Sequence, residues 1–398
     1  MARIKRGLLI VLVSGLVVLL AVGAWLYYTV YVYTDSAIQH AESLLFRRMQ
    51  VTKVDDRGTH RFFFATNRRL NEANGELEQK FNNEREDILK FGYFDSSLEP
   101  DLGIGIIFNP DEWFQNEQTR IREVQSLDSS AFIEQLRRYV QESPHRSLLL
   151  VVHGFREQFP SALHKTAFLG YQLDIDTPVM VFDWPGNQGS TLRGYRRALG
   201  IARQSGTDLA RLIALIIDDV RPARLWLVAN SMGAQVVSDA FSVLYREARF
   251  SDTETEIEDV VLTAPDVSHE DFDTNFKPKI KALVKDLTVY VSSNDRALVM
   301  SRLVNRERRR GESTLGADHL EEALRIAEHI EPNSERITLV DVTPVNRTRN
   351  FHNFSLETPE FFDDLYLRLT NADTPRSRLL YSTRNSDGKA YWVITRSR

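Results

Sequence analysis

The stretch Val228-Ala229-Asn230-Ser231-Met232-Gly233-Ala234 continues the apolar run Leu225-Trp226-Leu227 and decides the fold. It reads as a strand, a sharp turn with a serine at its apex, and a helix. Ala229 and Gly233, two before and two after the serine, are small enough for the backbone to fold tightly. Such a turn lifts Oγ clear of the sheet edge. Ala229 stands where the G-x-S-x-G pattern has its first glycine, and Gly233 keeps the second. A serine hydroxyl is a weak nucleophile at neutral pH, so the turn carries chemistry only beside a base and an oxyanion site. A small-residue turn that merely opens a helix looks the same locally. The rest of the chain has to decide.

Downstream of Ser130, strand and helix patterns alternate. Continuous apolar runs over 148–152, 179–182, 260–264, 287–291 and 337–342 predict strands buried on both faces. Between them, Phe132, Leu136 and Val140, then residues 162–173 and 194–219, carry helical spacing. This alternation predicts an α/β fold with a mostly parallel, doubly wound sheet. Upstream, 60–66, 91–96, 102–108 and 121–127 predict antiparallel strands at one sheet edge, with a polar loop or short helix over 71–87. Residues 378–383 and 390–395 flank Asn385-Ser386-Asp387-Gly388 and predict a terminal hairpin outside the main sheet.

With 398 residues the chain can bury one large core or two modest ones. Its net charge of −5 gives no basic field for nucleic acid, and the absence of cysteine removes disulfides, thiolate catalysis and cysteine-based zinc sites. Arg3, Lys5 and Arg6 precede an uncharged apolar run over 7–33, long enough to cross a bilayer as a helix. Positive charge on that flank places the N-terminus in the cytoplasm and the remainder outside it, in a bacterial periplasm. The rival is a cleaved signal peptide ending near Val22-Gly23-Ala24, but the apolar run continues through Trp25, Tyr27, Tyr28 and Tyr31, longer than a signal core needs. The expected organisation is a cytoplasmic tip and transmembrane helix over 1–33, a stalk over 34–58, a catalytic domain over 59–372 and a hairpin extension over 373–398.

In an open parallel sheet the strand ends converge on one edge, where ligands bind. His153-Gly154-Phe155 follows the 148–152 run, and the N–H groups of Phe155 and Met232 are candidates for an oxyanion hole. Read plainly, Gly154 only lets the chain turn. His153 precedes the nucleophile in sequence and reads as ordering its loop. An acid must orient the catalytic histidine. Asp295 follows the second strand beyond the nucleophile and is preferred, and Asp266 is the alternative acid or else a loop cap. The chain order serine, acid, histidine puts the base after Asp295. His319 and His329 fall on a predicted helix over 317–329, whereas His352 stands in a loop past the last strand and is the candidate base.

Six segments taken together resemble a bacterial family of esterase/lipase-like α/β-hydrolases whose members are largely uncharacterised. They are Phe64-Ala65-Thr66-Asn67-Arg68, Val152-His153-Gly154-Phe155, Asp183-Trp184-Pro185, Asn230-Ser231-Met232-Gly233, Ala264-Pro265-Asp266-Val267 and the run from Tyr290 through Asn294, Asp295 and Arg296 to Leu298. The resemblance spans roughly residues 60 to 370. It implies an α/β-hydrolase fold and a triad on Ser231, Asp295 and His352. Histidine usually precedes the serine in such elbows, and Asn230 departs from that, which bears on the shape of the pocket. The implied reaction is hydrolysis of a small-molecule or lipid ester through an acyl-enzyme, with no metal or organic cofactor. The same triad attacks thioesters and amides. The reading from a different class is a non-catalytic envelope protein that keeps the scaffold for binding or assembly. Oligomeric state is left open.

Overall fold

Runs of valine, leucine and isoleucine closed by glycine or polar turns become the strands of one sheet, and the helical stretches between them pack on its faces. The computed structural model describes residues 2–27, 48–55, 58–71, 81–100, 117–251, 257–267, 279, 282–292, 337–346, 355, 358–370, 380–384 and 390–395. Asp295, His319, His329 and His352 lie outside the described residues, as do the strand expected over 102–108 and the helix expected over 317–329.

The chain divides into two compact units, Met1–Arg47 with Leu98–Gln118, and Arg48–Ser97 with Thr119–Arg398. The first contains α1 (Ala2–Tyr27), on which Leu16, Leu19 and Trp25 are exposed. Side chains of α1 are described for residues 13–25. Among the described residues no helix is long and apolar enough to cross a membrane.

In the second unit β4 (Ser147–Val152), β5 (Val179–Asp183), β6 (Arg224–Asn230), β7 (Ile257–Thr263), β8 (Val284–Val291) and β9 (Ile337–Asp341) form the parallel centre of the sheet. β1 (Thr59–Leu70) joins it in parallel beside β5, and β2 (Phe81–Pro100) and β3 (Glu117–Leu127) extend that edge. β1 and β2 are antiparallel, as expected. The polar segment read as a loop or short helix ends earlier, because β2 begins at Phe81, which buries its ring against Phe64 and Phe159. At the other edge, β10 (Leu380–Arg384) and β11 (Ala390–Ile394) form the expected hairpin. The hairpin is not outside the main sheet. β11 pairs in parallel with β9, Trp392 opposite Val340, and so covers an edge that would otherwise leave a row of N–H and C=O groups unpaired.

Helices α2 (Ser129–Glu142), α3 (Phe159–Leu173), α4 (Leu192–Leu215), α5 (Gly233–Leu244) and α6 (Pro359–Thr370) cover the sheet. Asp128 caps α2 by accepting from Ala131 N–H, and Thr191 caps α4 by accepting from Gly194 N–H. α4 buries Ala198, Ala202, Leu209 and Ile213, and its Gly206 lets α5 approach closely. A Cβ at Gly206 would lie 2.4 Å from Asp239 Cβ. This close packing of α4 backs α5, the helix that follows the serine.

Residues 48–51, within the expected stalk, are bonded to the segment that leads into β5. Arg48 Nε–H donates to Asp174 Oδ2 at 2.9 Å, Met49 N–H to Asp174 Oδ1 at 3.3 Å, and Gln50 and Val51 N–H to Asp176 Oδ1 at 2.8 Å. Met49 is buried. Asp174 and Asp176 immediately precede β5, so the chain joins the sheet at its amino-terminal edge.

Candidate active site

β6 is buried from Leu225 to Ala229 and ends at Asn230. The next residue, Ser231, has φ +52°, in the left-handed region, before α5 starts at Gly233. A non-glycine residue there costs about 1–2 kcal/mol, so the surrounding structure must hold it. It does so through the backbone: Ser231 N–H donates to Thr263 O at 2.9 Å, and Ser231 O accepts from Ala234 N–H at 3.0 Å and Asp266 N–H at 3.1 Å. The second small residue must be glycine, since a Cβ at Gly233 would stand 2.6 Å from Val152 O and 2.7 Å from His153 O. At the first small position Ala229 is fully buried and its methyl is accommodated. The loop after β4 presses on the same spot, with a Cβ at Gly154 only 3.0 Å from Ser231 Cβ. Neither Phe155 N–H nor Met232 N–H donates a hydrogen bond among the described residues. Met232 directly follows the serine, and Phe155 directly follows Gly154, the residue that approaches it.

Asn230 has a structural task. Its Nδ2 donates to Thr263 Oγ1 at 2.9 Å and to Ser355 Oγ at 3.0 Å, tying the elbow to β7 and to the segment three residues past His352. Asp266 accepts from Tyr195 OH at 2.8 Å, and Phe155 packs edge-on against the same tyrosine ring. The segments leading to Asp295 and His352 leave the sheet side by side. Val342 N–H donates to Val291 O at 2.9 Å, and Asn346 Nδ2 to Ser292 Oγ at 2.8 Å.

Beneath the loop after β4 lies a buried ionic cluster that sequence reasoning missed. β1 was expected to end at Asn67-Arg68-Arg69, yet Asn67 and Arg68 are fully buried. Arg68 Nε–H donates to Asp183 Oδ2 at 2.6 Å and its Nη2 to Asp183 Oδ1 at 3.0 Å, a two-pronged pair that suits guanidinium and carboxylate geometry. Thr66 Oγ1 donates to Asp183 Oδ2 at 2.7 Å, and His153 Nε2 lies 2.9 Å from Asp183 Oδ1. Burial pushes the Asp183 carboxyl up, but Arg68 and His153 outweigh it and bring the group down to about 2. Three of the six quoted segments meet in this cluster. Both ring nitrogens of His153 are engaged, Nδ1 at 2.9 Å from Gly154 O and Nε2 on Asp183, so this histidine orders its loop.

Among known proteins, no curated relative matches the chain. Two solved structures of a cold-adapted esterase from an Arctic intertidal metagenomic library are similar over most of their length. One, zinc-bound, is 12% identical with a TM-score of 0.35, covering 73% of this chain and 87% of the other. The second, bound to a polyethylene glycol, is 11% identical with a TM-score of 0.37, covering 77% and 97%. Residues 128–365, which run from the cap of α2 into α6 and contain the whole parallel centre of the sheet, match the family described as alpha/beta hydrolase of unknown function (DUF900), and the chain belongs to that family.

Proposed function

We propose that the protein is a serine hydrolase that cleaves carboxylic esters through an acyl-enzyme, with Ser231 as nucleophile, His352 as base and Asp295 as the acid that orients it. One observation carries the reading: Ser231 is held at φ +52° between a buried strand and a helix, with the open N–H groups of Phe155 and Met232 beside it. In this mechanism His352 takes the Ser231 proton as Oγ attacks the carbonyl carbon. The oxyanion forms against the two N–H groups, and loss of either donor costs about 3 kcal/mol of barrier. Collapse expels the alcohol, which takes the proton back from His352. Water, activated by the same histidine, then frees the acid and restores Ser231. The Asn230 bond to Ser355 supports the assignment of His352, because it brings the chain three residues beyond that histidine to the elbow. A fluorophosphonate probe added to the full chain is expected to label wild type at Ser231 and to leave Ser231→Ala unlabelled. A folded wild-type protein that resists the probe overturns the assignment.

The same reading holds the enzyme in a membrane through the uncharged apolar run over 7–33, of which α1 forms the part up to Tyr27, with the catalytic domain on the extracytoplasmic side. Exposed Leu16, Leu19 and Trp25 on one helix, preceded by Arg3, Lys5 and Arg6, support it, since an apolar helix surface is stable in lipid and not in water. Alkaline phosphatase fused after residue 40 is expected to be active. Fluorescence there from a reporter that matures only in the cytoplasm reverses the topology.

A further inference from the structure

We infer that the buried Arg68–Asp183–His153 cluster is a positioning relay for the Phe155 N–H, the oxyanion donor of the loop after β4; this rests on the serine-hydrolase reading of Ser231. His153 Nδ1 lies 2.9 Å from Gly154 O and faces that acceptor, so it carries the hydrogen and donates. Nε2 has two neighbours, Asp183 Oδ1 at 2.9 Å and the Trp184 N–H at 3.1 Å, and either arrangement leaves Nδ1–H on the carbonyl. The Gly154 carbonyl and the Phe155 N–H belong to one peptide group. That group is planar and trans, so the two bonds point in opposite directions. Fixing the oxygen fixes the direction of the N–H.

The ring that does the fixing is itself immobilised. It stacks on Trp184, centroids 5.6 Å apart and planes 8° from parallel, and Trp184 Nε1–H donates back to His153 O at 2.9 Å. Asp183 Oδ1 and the Trp184 N–H together enclose Nε2, and Arg68 holds Asp183. Arg68 Nη2 also donates to Trp184 O at 2.7 Å and to Glu157 O at 2.9 Å, two residues past Phe155. Arg156 N–H donates to Gly186 O at 3.0 Å while its backbone sits at φ +70°. The loop is therefore clamped at Gly154, Arg156 and Glu157, and the Phe155 amide lies between those clamps without an acceptor among the described residues. The left-handed backbone at Arg156 is strained and persists only because these bonds over-determine the loop. An oxyanion donor needs this rigidity, because it must point correctly before charge develops.

His153→Phe keeps a ring against Trp184 and removes the Nδ1 donor. Expected is a roughly 10²-fold fall in kcat on an activated ester, the loss seen when one oxyanion donor is misplaced, with KM within about two-fold. Affinity for an alkyl boronic acid, which forms a tetrahedral adduct on Ser231, should weaken by the same factor. His153→Asn, whose amide nitrogen replaces Nδ1, should recover about ten-fold of the loss. Unchanged kcat, a fall in kcat without the matching loss of boronate affinity, or no recovery by asparagine overturns the relay. Should His153→Phe fail to fold, His153→Asn against His153→Gln asks the same question, since glutamine places its nitrogen at Nε2; equal kcat in the two overturns it. Fluorophosphonate labelling of wild type separates the two readings. No labelling removes the Ser231 assignment itself, whereas a labelled wild type with an indifferent His153→Phe removes only the relay.

Discussion

Replacing His352 with alanine is expected to lower kcat on an activated ester about 10⁶-fold, and Asp295→Asn about 10⁴-fold, the losses that follow when a triad loses its base or the group that orients it. Asp266→Asn should cost no more than about ten-fold, the worth of one hydrogen bond. The difference rests on what Asp266 already does. Its N–H is bonded to Ser231 O and its carboxylate accepts from Tyr195 OH, so it braces the elbow and the Phe155–Tyr195 contact. The role proposed for His352 draws on the chain that follows it. Ser355 is hydrogen-bonded to Asn230, and three residues of chain span at most about 11 Å. Steady-state kinetics of the three variants, with circular dichroism to confirm folding, decides the matter. A larger loss in Asp266→Asn than in Asp295→Asn makes Asp266 the orienting acid.

Arg68→Met should destabilise the domain by about 3–5 kcal/mol, because it removes one partner of a buried ion pair and leaves the other charged. Both side chains are fully buried at 2.6 Å separation, so water cannot replace the lost contact. Acid should narrow the deficit. In the native protein Asp183 is down at about 2 against about 3.9 in the unfolded chain, so it contributes stability above pH ~4 that is lost as pH falls through about 2. Without Arg68, burial is opposed less and the carboxyl rises, so the variant gains relative to wild type as acid protonates it. Urea midpoints at pH 7 and pH 4 test both parts. Equal midpoints for wild type and variant at pH 7 contradict the assignment of Arg68 as the compensating charge.

The elbow was legible because its information is local: strand, small residue, serine, small residue and helix lie within ten positions. The parallel strands were legible because burial on both faces leaves an unbroken apolar run. Arg68 was not. A basic residue at the end of an aromatic strand reads as solvated, and its carboxylate partner lies 115 residues away in sequence. Asn67 likewise meets Asp208 141 residues on. No periodicity encodes such pairs; the adjacency of β1 and β5, with Thr66 opposite Asp183, creates them. The C-terminal hairpin was recognised as a hairpin but misplaced, since nothing within β10 and β11 states that β9 has a free side. Asn230, visible only as a departure from a pattern, acquires its reason from Thr263 and Ser355.

The bonds from residues 48–51 to Asp174 and Asp176 set where a load on the chain enters the sheet. They lie at the amino-terminal edge of the strands, whereas Ser231 follows the carboxyl-terminal end of β6. A strand such as β4, six residues long, spans roughly 20 Å. The length of the strands thus separates the attachment of residues 48–51 from Ser231. A pull on the chain at Arg48 therefore enters the sheet at the end of its strands opposite the elbow, and the strands bear it before the turn that carries Ser231 does.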